Sequence, residues 1–240
     1  MSSECRAPAA IDSITTALAA APVAADACNQ YADDTPVNGV RRANLSLALA
    51  QILAHGPALV LVAEAPGYRG CRRTGVPFTS DPILLNGIDP PGLFGSGHGF
   101  RHACDDGRMR GEQTATIIWR ELRRHNVVAL GWNAWPFHPH RPGQPESNRA
   151  PRAAELRQGL VFLEAVLALA PGLPVVALGN CAHRNLSALN VPHHRVRHPA
   201  QGGATLFANG LAAIIAGDAS NADDAAFTNN SRNWRNSLCC

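Results

Sequence analysis

The residues best suited to chemistry in this sequence follow an apolar run at residues 59–63 (LVLVA). The run is rich in β-branched residues and long enough for one buried strand. It breaks at once into EAPG at residues 64–67. A Pro-Gly turn there can aim main-chain N–H groups into a cleft, because proline fixes φ and glycine reaches backbone angles closed to other residues. The segment GVPF at residues 75–78 then presents the aromatic ring of Phe78 on a second short loop.

Two later strands are predicted to end in loops of the same kind. Residues 127–130 (VVAL) precede the segment GWNAWPFHP, which contains Asn133, and residues 195–197 precede HPAQGG, which begins with His198. In open α/β sheets, ligands bind at the edge where the carboxyl ends of parallel strands meet. The three loops are therefore expected to form one ligand site.

The order of elements predicts the fold that brings these loops together. Strands alternate with helices along the chain, which favours a parallel sheet covered by helices. The predicted fold class is α/β, a three-layer α/β/α arrangement around a central, mainly parallel four-stranded sheet. Strands are predicted at residues 59–63, 127–130, 175–178 and 195–197. Helices are predicted at residues 44–55 (capped by Asn44), 112–124, 155–169, after 179 and at 205–215, and a long surface loop at 81–111.

The domain organisation follows from composition. The chain has 240 residues, of which 46% are hydrophobic, enough for one domain with a sizeable core. Residues 1–30 are interpreted as a loosely ordered lead with at most one short helix, residues 31–216 as the domain, and residues 217–240 as a polar, disordered tail. No apolar run approaches the ~18–20 residues needed to span a membrane.

Metal chemistry is the competing interpretation, and the spacing of ligands disfavours it. The seven cysteines include no C-x-x-C pair, and we interpret them as reduced thiols of a cytoplasmic protein. His138 and His140 form an H-x-H pair and His193 is followed by His194, but no matching cysteine or carboxylate spacing accompanies them. The sequence thus predicts no metal ligands.

Four motifs in order resemble the uracil-DNA glycosylase superfamily, between about residues 31 and 216. Residues 63–67 (AEAPG) and 75–78 (GVPF) resemble the branch whose first motif reads GEAPG followed by GxPF. Asn133 followed by NRAP at 148–151 resembles its asparagine strand end and NRxPxxxE continuation. Residues 177–179 (ALG) and 198–200 (HPA) resemble its ALG strand end and its second motif, HPS.

The resemblance implies hydrolysis of the N-glycosidic bond to uracil or a related deaminated base in DNA, as in base excision repair. Such a base must be extruded from the duplex to be reached. The resemblance implies that His198 stabilises the departing base and that Glu64 acts on the water or the sugar, or else serves as a structural carboxylate of its turn. The residues implied to bind the base are Ala65, Pro66, Gly67, Phe78 and Asn133.

This chain departs from the resembling branch in ways that bear on cofactor and specificity. Related enzymes carry an iron–sulfur cluster, one ligand of which lies four residues after the motif asparagine, where this chain has Phe137. The cluster is therefore expected to be absent, and no cofactor is predicted. Some relatives exclude thymine with a tyrosine at the position of Gly67, which here has no side chain.

DNA is the expected partner of a monomeric protein. All 21 basic residues are arginine, and no acidic residue lies between Glu164 and Asp218. A local basic face binds phosphates even when the net charge is only +3. The residues assigned to DNA binding are Arg149, Arg195, Arg197 and Gln201. The alternatives are a glycosylase fold that binds nucleic acid without cleaving it and, third, a histidine metalloprotein.

Overall fold

A computed structural model describes residues 3–104 and 106–217, with side chains from residue 7 onward. Of the predicted tail, only Gly217 falls within this range. In chain order the elements are α1 (Ser3–Ala20), β1 (Ala27–Cys28), α2 (Pro36–His55), β2 (Leu59–Ala63), α3 (Cys71–Thr74), α4 (Asp81–Asn86), a 3-10 turn (Ser96–His98), α5 (Gln113–Arg124), β3 (Ala129–Asn133), β4 (His138–Pro139), α6 (Ala153–Leu167), β5 (Val175–Leu178), α7 (Asn180–Ala188), β6 (His194–Val196) and α8 (Ala204–Ile215).

Four strands form one parallel sheet in the order β3-β2-β5-β6, so the predicted parallel α/β architecture is confirmed. All five residues of β2 are buried, as its continuous apolar sequence requires of a central strand. The strand predicted at residues 127–130 lies at Ala129–Asn133 instead, which makes Asn133 its last residue. The short strands β1 and β4 form a separate antiparallel pair.

The N-terminal lead is not loose, and this prediction is wrong. Helix α1 places Ile11, Ile14 and Leu18 in the same hydrophobic core as the central sheet. The Asn29 side chain donates to the carbonyl oxygens of Leu18 and Ala21 at 2.8 and 2.9 Å, which satisfies acceptors left over at the helix end. The apolar spacing i, i+3, i+7 was the signal for this packing. The domain therefore begins before residue 31.

Helix α2 begins eight residues earlier than predicted. Thr35 caps it by accepting from the Asn38 N–H at 3.2 Å, and Pro36 occupies the first turn, where a missing N–H costs nothing. Asn44, predicted as the cap, is buried inside the helix. Its amide donates to the carbonyl oxygens of Thr74 and Arg101.

The segment predicted as a long surface loop, residues 81–111, is partly ordered against the core. It contains α4 and the 3-10 turn, and it buries Leu93, Phe94 and Phe100. Buried Arg73 anchors both ends of it, because its guanidinium binds Asp81 at 2.7 Å and Asp106 at 3.0 Å. The hydrophobic residues of this segment show no helical period, because the segment packs on the core through scattered residues and not through one face of a helix.

Candidate functional site

The strand ends meet at one edge of the sheet, as the sequence predicted. Ala63 and Asn133 are register partners, and the pairing continues beyond the strands. The Ala134 N–H donates to the Ala63 carbonyl at 2.7 Å, and the Trp135 N–H donates to the Glu64 carbonyl at 3.0 Å. The loops after β2 and β3 are thereby held side by side.

Asn133 carries an unpartnered polar group at this edge. It is 5% exposed, yet its side-chain amide makes no hydrogen bond to any residue in the described part of the chain. Asn44 and Asn185 are equally buried, and the amide of each donates to two backbone carbonyls. The amide atoms of Asn133 are not among the sealed and unpaired polar atoms of the described residues, so the amide reaches solvent and is available for a ligand.

Phe78 lies on the same face of β3 as Asn133. A Cβ added at Gly131 would fall 2.5 Å from the Phe78 ring, so the ring covers the face toward which residue 131 points. Residues two apart on a strand share a face, so the ring lies on the same side of β3 as the Asn133 side chain. Phe78 has φ +55°, and its carbonyl accepts from Trp119 Nε1 at 2.9 Å. Gly131 is a site residue that the sequence analysis missed.

We expect Gly131→Ala to disturb the site through Phe78. A methyl group 2.5 Å from the ring would displace the ring rather than the strand, because the strand is fixed by pairing with β2. If the site has the activity that the resemblance implies, cleavage of uracil-containing DNA should fall at least about tenfold while the far-ultraviolet circular dichroism spectrum is retained.

A double-mutant cycle with Phe78→Ala distinguishes displacement of the Phe78 ring from a general disturbance of the fold. If Gly131→Ala acts through the ring, it should cost much less activity in the Phe78→Ala background than in the wild type. Additive losses would contradict the coupling.

Glu64 and His198 flank Gly179, the first residue after β5. Gly179 has φ +91°, and a Cβ there would lie 3.3 Å from Glu64 Oε1 and 3.8 Å from His198 Cβ. Glu64 and His198 thus approach the same glycine from two different loops. Among the described residues, the N–H groups of Ala65 and Gly67 make no hydrogen bond to the Glu64 carboxylate, so the turn does not use it as its own acceptor.

Cys181 is a second residue of the site that the sequence analysis missed. It lies at the start of α7, two residues after Gly179, and is 9% exposed. Burial, and then the negative charge of the nearby Glu64 carboxylate, raise the pKa of its thiol to about 12. The Cys181 thiol therefore stays protonated beside the Glu64 carboxylate.

His198 is held as a neutral imidazole with a defined tautomer. Burial, and then the charge of Arg197, lower the pKa of His198 to about 4. Its Nδ1 accepts from the Ala200 N–H at 3.2 Å, which leaves the proton of the neutral ring on Nε2. His198 is therefore a hydrogen-bond donor at neutral pH without carrying a charge.

The EAPG loop is fixed from behind by His138. His138 is fully buried, with Nδ1 2.7 Å from the Pro66 carbonyl oxygen and Nε2 3.2 Å from that of Pro145. The Tyr68 N–H donates to Asn148 Oδ1 at 3.0 Å, which holds the loop just beyond Gly67. Ala65, Pro66 and Gly67 thus belong to a rigid turn. With both ring nitrogens against carbonyl oxygens, His138 is positioned to orient backbone rather than to bind a metal.

His138 makes protein stability depend on pH in a defined window. Burial lowers its pKa to about 4, and this outweighs the two carbonyl oxygens, which raise it. In the unfolded chain the pKa is about 6.5, so as the pH falls from about 6.5 to 4 only the unfolded state takes up a proton. The free energy of unfolding should fall by about 2–3 kcal/mol from this residue between pH 7 and pH 4.5.

Urea unfolding of His138→Asn at both pH values tests this. Asparagine keeps an N–H donor near the position of Nδ1 but does not titrate. The variant should lose about 2–3 kcal/mol less than the wild type on acidification. Equal losses in the two proteins would show that His138 does not titrate as described.

Arg149, predicted to bind DNA, is engaged inside the protein. Its guanidinium makes two hydrogen bonds to the Glu155 carboxylate, at 2.6 and 2.7 Å, and it also donates to the carbonyls of His140 and Asp26. The side chain is 15% exposed. This correction removes Arg149 from the residues available to phosphate.

The other predicted DNA contacts lie around the loop that carries His198. Arg195 donates to Asn180 Oδ1 at 3.2 Å from the edge strand β6. Arg197 is half-buried and close enough to lower the pKa of His198, and Gln201 is exposed with φ +53°. A Cβ at Gly203 would lie 2.1 Å from the His198 carbonyl oxygen, which shows how tightly this loop turns.

His183 and His193 form a pair. His183 Nδ1 lies 2.8 Å from His193 Nε2, and His193 Nδ1 lies 2.7 Å from the Val191 carbonyl oxygen. No group of three or more histidine, cysteine, aspartate or glutamate side chains suited to a metal ion occurs among residues 7–104 and 106–217.

Comparisons with known proteins add no family assignment. No family model matches the chain, and no curated protein matches it significantly. Within the described residues, no helix combines the length and the apolar character that a membrane crossing requires.

Proposed function

We propose that this protein is a monofunctional DNA glycosylase that hydrolyses the N-glycosidic bond of uracil, or a related deaminated base, in DNA during base excision repair. The proposal includes a three-layer α/β/α glycosylase-like arrangement of the fold. The observation that carries it is the unpartnered amide of Asn133, on the same face of β3 as the Phe78 ring and at the same sheet edge as His198.

In this proposal an extruded uracil stacks on Phe78 and is recognised by Asn133. One amide offers a donor for O4 and an acceptor for N3–H of uracil, whereas cytosine presents the reverse pattern. Cytosine would leave buried polar groups unpaired, and such sites discriminate strongly. Stacking of a base on an aromatic ring typically contributes ~1–3 kcal/mol.

Bond cleavage then needs charge stabilisation on both sides of the glycosidic bond. The N1–C1′ bond breaks with its electron pair on uracil, and His198 Nε2–H donates to O2 as negative charge develops there. The sugar becomes oxocarbenium-like, and the Glu64 carboxylate offsets its positive charge or orients the attacking water. The water oxygen bonds to C1′, one of its protons is released, and the uracil anion takes up a proton.

A gel assay tests the proposal directly. Purified protein is incubated with oligonucleotides that carry uracil, hypoxanthine, xanthine or mismatched thymine, and the products are treated with alkali. Alkali-dependent cleavage at one of these bases, absent from an undamaged control, is expected. The absence of cleavage at all four would refute the glycosylase.

A non-catalytic DNA-binding protein is the second candidate, because the protonated Cys181 thiol lies close to the Glu64 carboxylate and competes with water for it. This candidate predicts tight binding to uracil-containing DNA without release of the base. Measuring released uracil and DNA affinity on the same samples distinguishes the two functions.

The absence of lysine predicts the type of product. Glycosylases that also cut the backbone use an amine to form a Schiff base with the sugar, and the 240 residues contain no lysine ε-amine. We expect an intact strand with an abasic site and no covalent adduct on borohydride treatment during turnover. A protein–DNA adduct that survives denaturing electrophoresis would mean that the N-terminal amine attacks the sugar.

A further inference from the structure

We infer that Tyr68, Arg69 and Arg72 form a second contact surface for DNA, which binds the strand beside the extruded nucleotide by stacking and phosphate contacts. This inference rests on the proposed function. It replaces Arg149, which is engaged in ion pairs, with basic residues from a different loop.

The three residues follow directly on the EAPG turn, at the edge of the sheet where β2 ends. Arg69 is exposed, Tyr68 is half-buried, and the Arg69 guanidinium lies 5.3 Å from the centre of the Tyr68 ring. This contact orients the ring and occupies one of its faces. An aromatic ring and a guanidinium held together are the components with which proteins stack bases of single strands.

Arg72 supplies an unpartnered positive charge to this surface. Its guanidinium makes no hydrogen bond or ion pair with the residues that the structure describes, and its Nε is sealed from solvent. Adjacent Arg73 differs in kind, because it binds the carboxylates of Asp81 and Asp106. The Nε itself is out of reach of a ligand, but Arg72 as a whole is half-buried, and a phosphate oxygen is the natural acceptor for the other N–H groups of a planar guanidinium.

The electrostatic surroundings favour an anion. No acidic residue lies between Glu64 and Asp81 in the sequence, so the charges of Arg69 and Arg72 are not balanced within their own segment. A phosphodiester strand carries the opposite charge at regular spacing and also offers bases for stacking.

The loop is also rigid enough to present these side chains in fixed positions. The Gly67 carbonyl accepts from the Gly70 N–H at 3.2 Å and from the Arg72 N–H at 3.3 Å. A Cβ at Gly70 would lie 2.9 Å from the Thr79 carbonyl oxygen, so the segment packs directly on its neighbour. Preorganisation of this kind lowers the entropic cost of binding a strand.

The test is fluorescence anisotropy with a labelled single-stranded oligonucleotide that contains no damaged base, measured over a range of salt concentrations. Tyr68→Ala should weaken binding about 5- to 150-fold without changing the salt dependence, whereas Tyr68→Phe should bind like the wild type. Arg69→Ala and Arg72→Ala should each reduce the slope of log K against log salt by about 0.7.

Arg124→Ala is the matched control. Arg124 ends α5, which precedes β3, so it lies toward the opposite edge of the sheet, and its loss removes the same charge. It should leave the salt slope unchanged. Because Arg69 is exposed, Arg69→Ala remains informative even if Arg72→Ala does not fold, and Arg72→Lys offers a milder change at that position.

The outcomes separate this inference from the proposed function. If the wild type cleaves uracil-containing DNA but the three alanine variants keep its affinity and salt slope, only the second contact surface is wrong. If the wild type binds the undamaged strand but does not cleave uracil-containing DNA, the glycosylase proposal fails, and the variants still decide the surface. A wild type that binds no DNA overturns both.

Discussion

Asn133→Ala is expected to lower kcat/KM for uracil-containing DNA about 10²- to 10⁴-fold. The amide is proposed to make two hydrogen bonds to the extruded base, and each unmade bond in a buried site costs about 1–3 kcal/mol. The measurement is single-turnover release of uracil. Affinity for undamaged DNA should change less than threefold, because the residue acts only on a base that has left the stack.

Asn133→Ala should barely change the free energy of unfolding, and this expectation distinguishes Asn133 from other buried asparagines. The side chain of Asn133 has no hydrogen-bond partner among the described residues, so alanine breaks no bond of the free protein. Asn185 is the matched control, because its amide donates to the carbonyls of Ala134 and Leu156 at 2.9 and 2.8 Å. Asn185→Ala should reduce the free energy of unfolding by about 1–3 kcal/mol or more.

Asn133→Asp adds a second, nearly isosteric comparison. A carboxylate keeps the shape but loses the donor, so uracil O4 would face a second acceptor. Activity on uracil should fall as far as in the alanine variant. If Asn133→Ala cleaves like the wild type, the amide does not recognise the base. If it loses as much stability as Asn185→Ala, the amide is bonded within the protein and is not available for the base.

The position of Asn133 could be predicted from the sequence because it depends on local signals. An apolar β-branched run must be a buried strand, and a strand of a parallel sheet delivers its last residues to a known edge. The exact end of β3 was missed by three residues, since Gly131 and Trp132 do not look like strand residues in isolation. Pairing with β2 extends the strand to Asn133.

The role of Arg149 could not be predicted, because its partners come from separate parts of the chain. Glu155 opens α6, and Asp26 lies more than a hundred residues earlier, in the segment that the sequence suggested was loose. An arginine in a basic stretch looks the same whether it binds a carboxylate or a phosphate. Only the folded structure assigns its donors.

The sequence also could not predict that Arg72 lacks a partner, because Arg72 and Arg73 are adjacent arginines and nothing in the sequence distinguishes them. The two residues have the same side chain and opposite environments, because α3 turns Arg73 toward Asp81 and Asp106. A four-residue helix has too few positions for its pattern to reveal which face is buried.

His198→Ala is expected to lower kcat about 10²- to 10³-fold, the usual effect of removing one donor to a developing oxyanion. His198→Gln provides the matched comparison, because its side-chain amide places an N–H near the position of Nε2. We expect Gln to recover at least about tenfold of the lost rate. Binding of uracil-containing DNA should change little in either variant, so the loss should appear in kcat rather than in KM.

The pH profile distinguishes a neutral donor from a charged one. Burial and Arg197 lower the pKa of His198 to about 4, so above that pH the ring is neutral and donates from Nε2. Activity should therefore show no His198-dependent step between pH 5 and pH 8. An imidazolium acting as a general acid would instead give a rate that rises as the pH falls through about 6.5.

Arg197→Ala tests whether the charge of Arg197 helps to keep the His198 imidazole neutral. Without the neighbouring charge, the pKa of His198 should move upward from about 4, although burial still holds it below its ordinary value. Titration of the imidazole by nuclear magnetic resonance measures the shift. A wild-type His198 that titrates near 6.5, or a His198→Ala enzyme with an unchanged kcat, would remove the neutral-donor role, because the ring would then be charged or idle at the pH where the base departs.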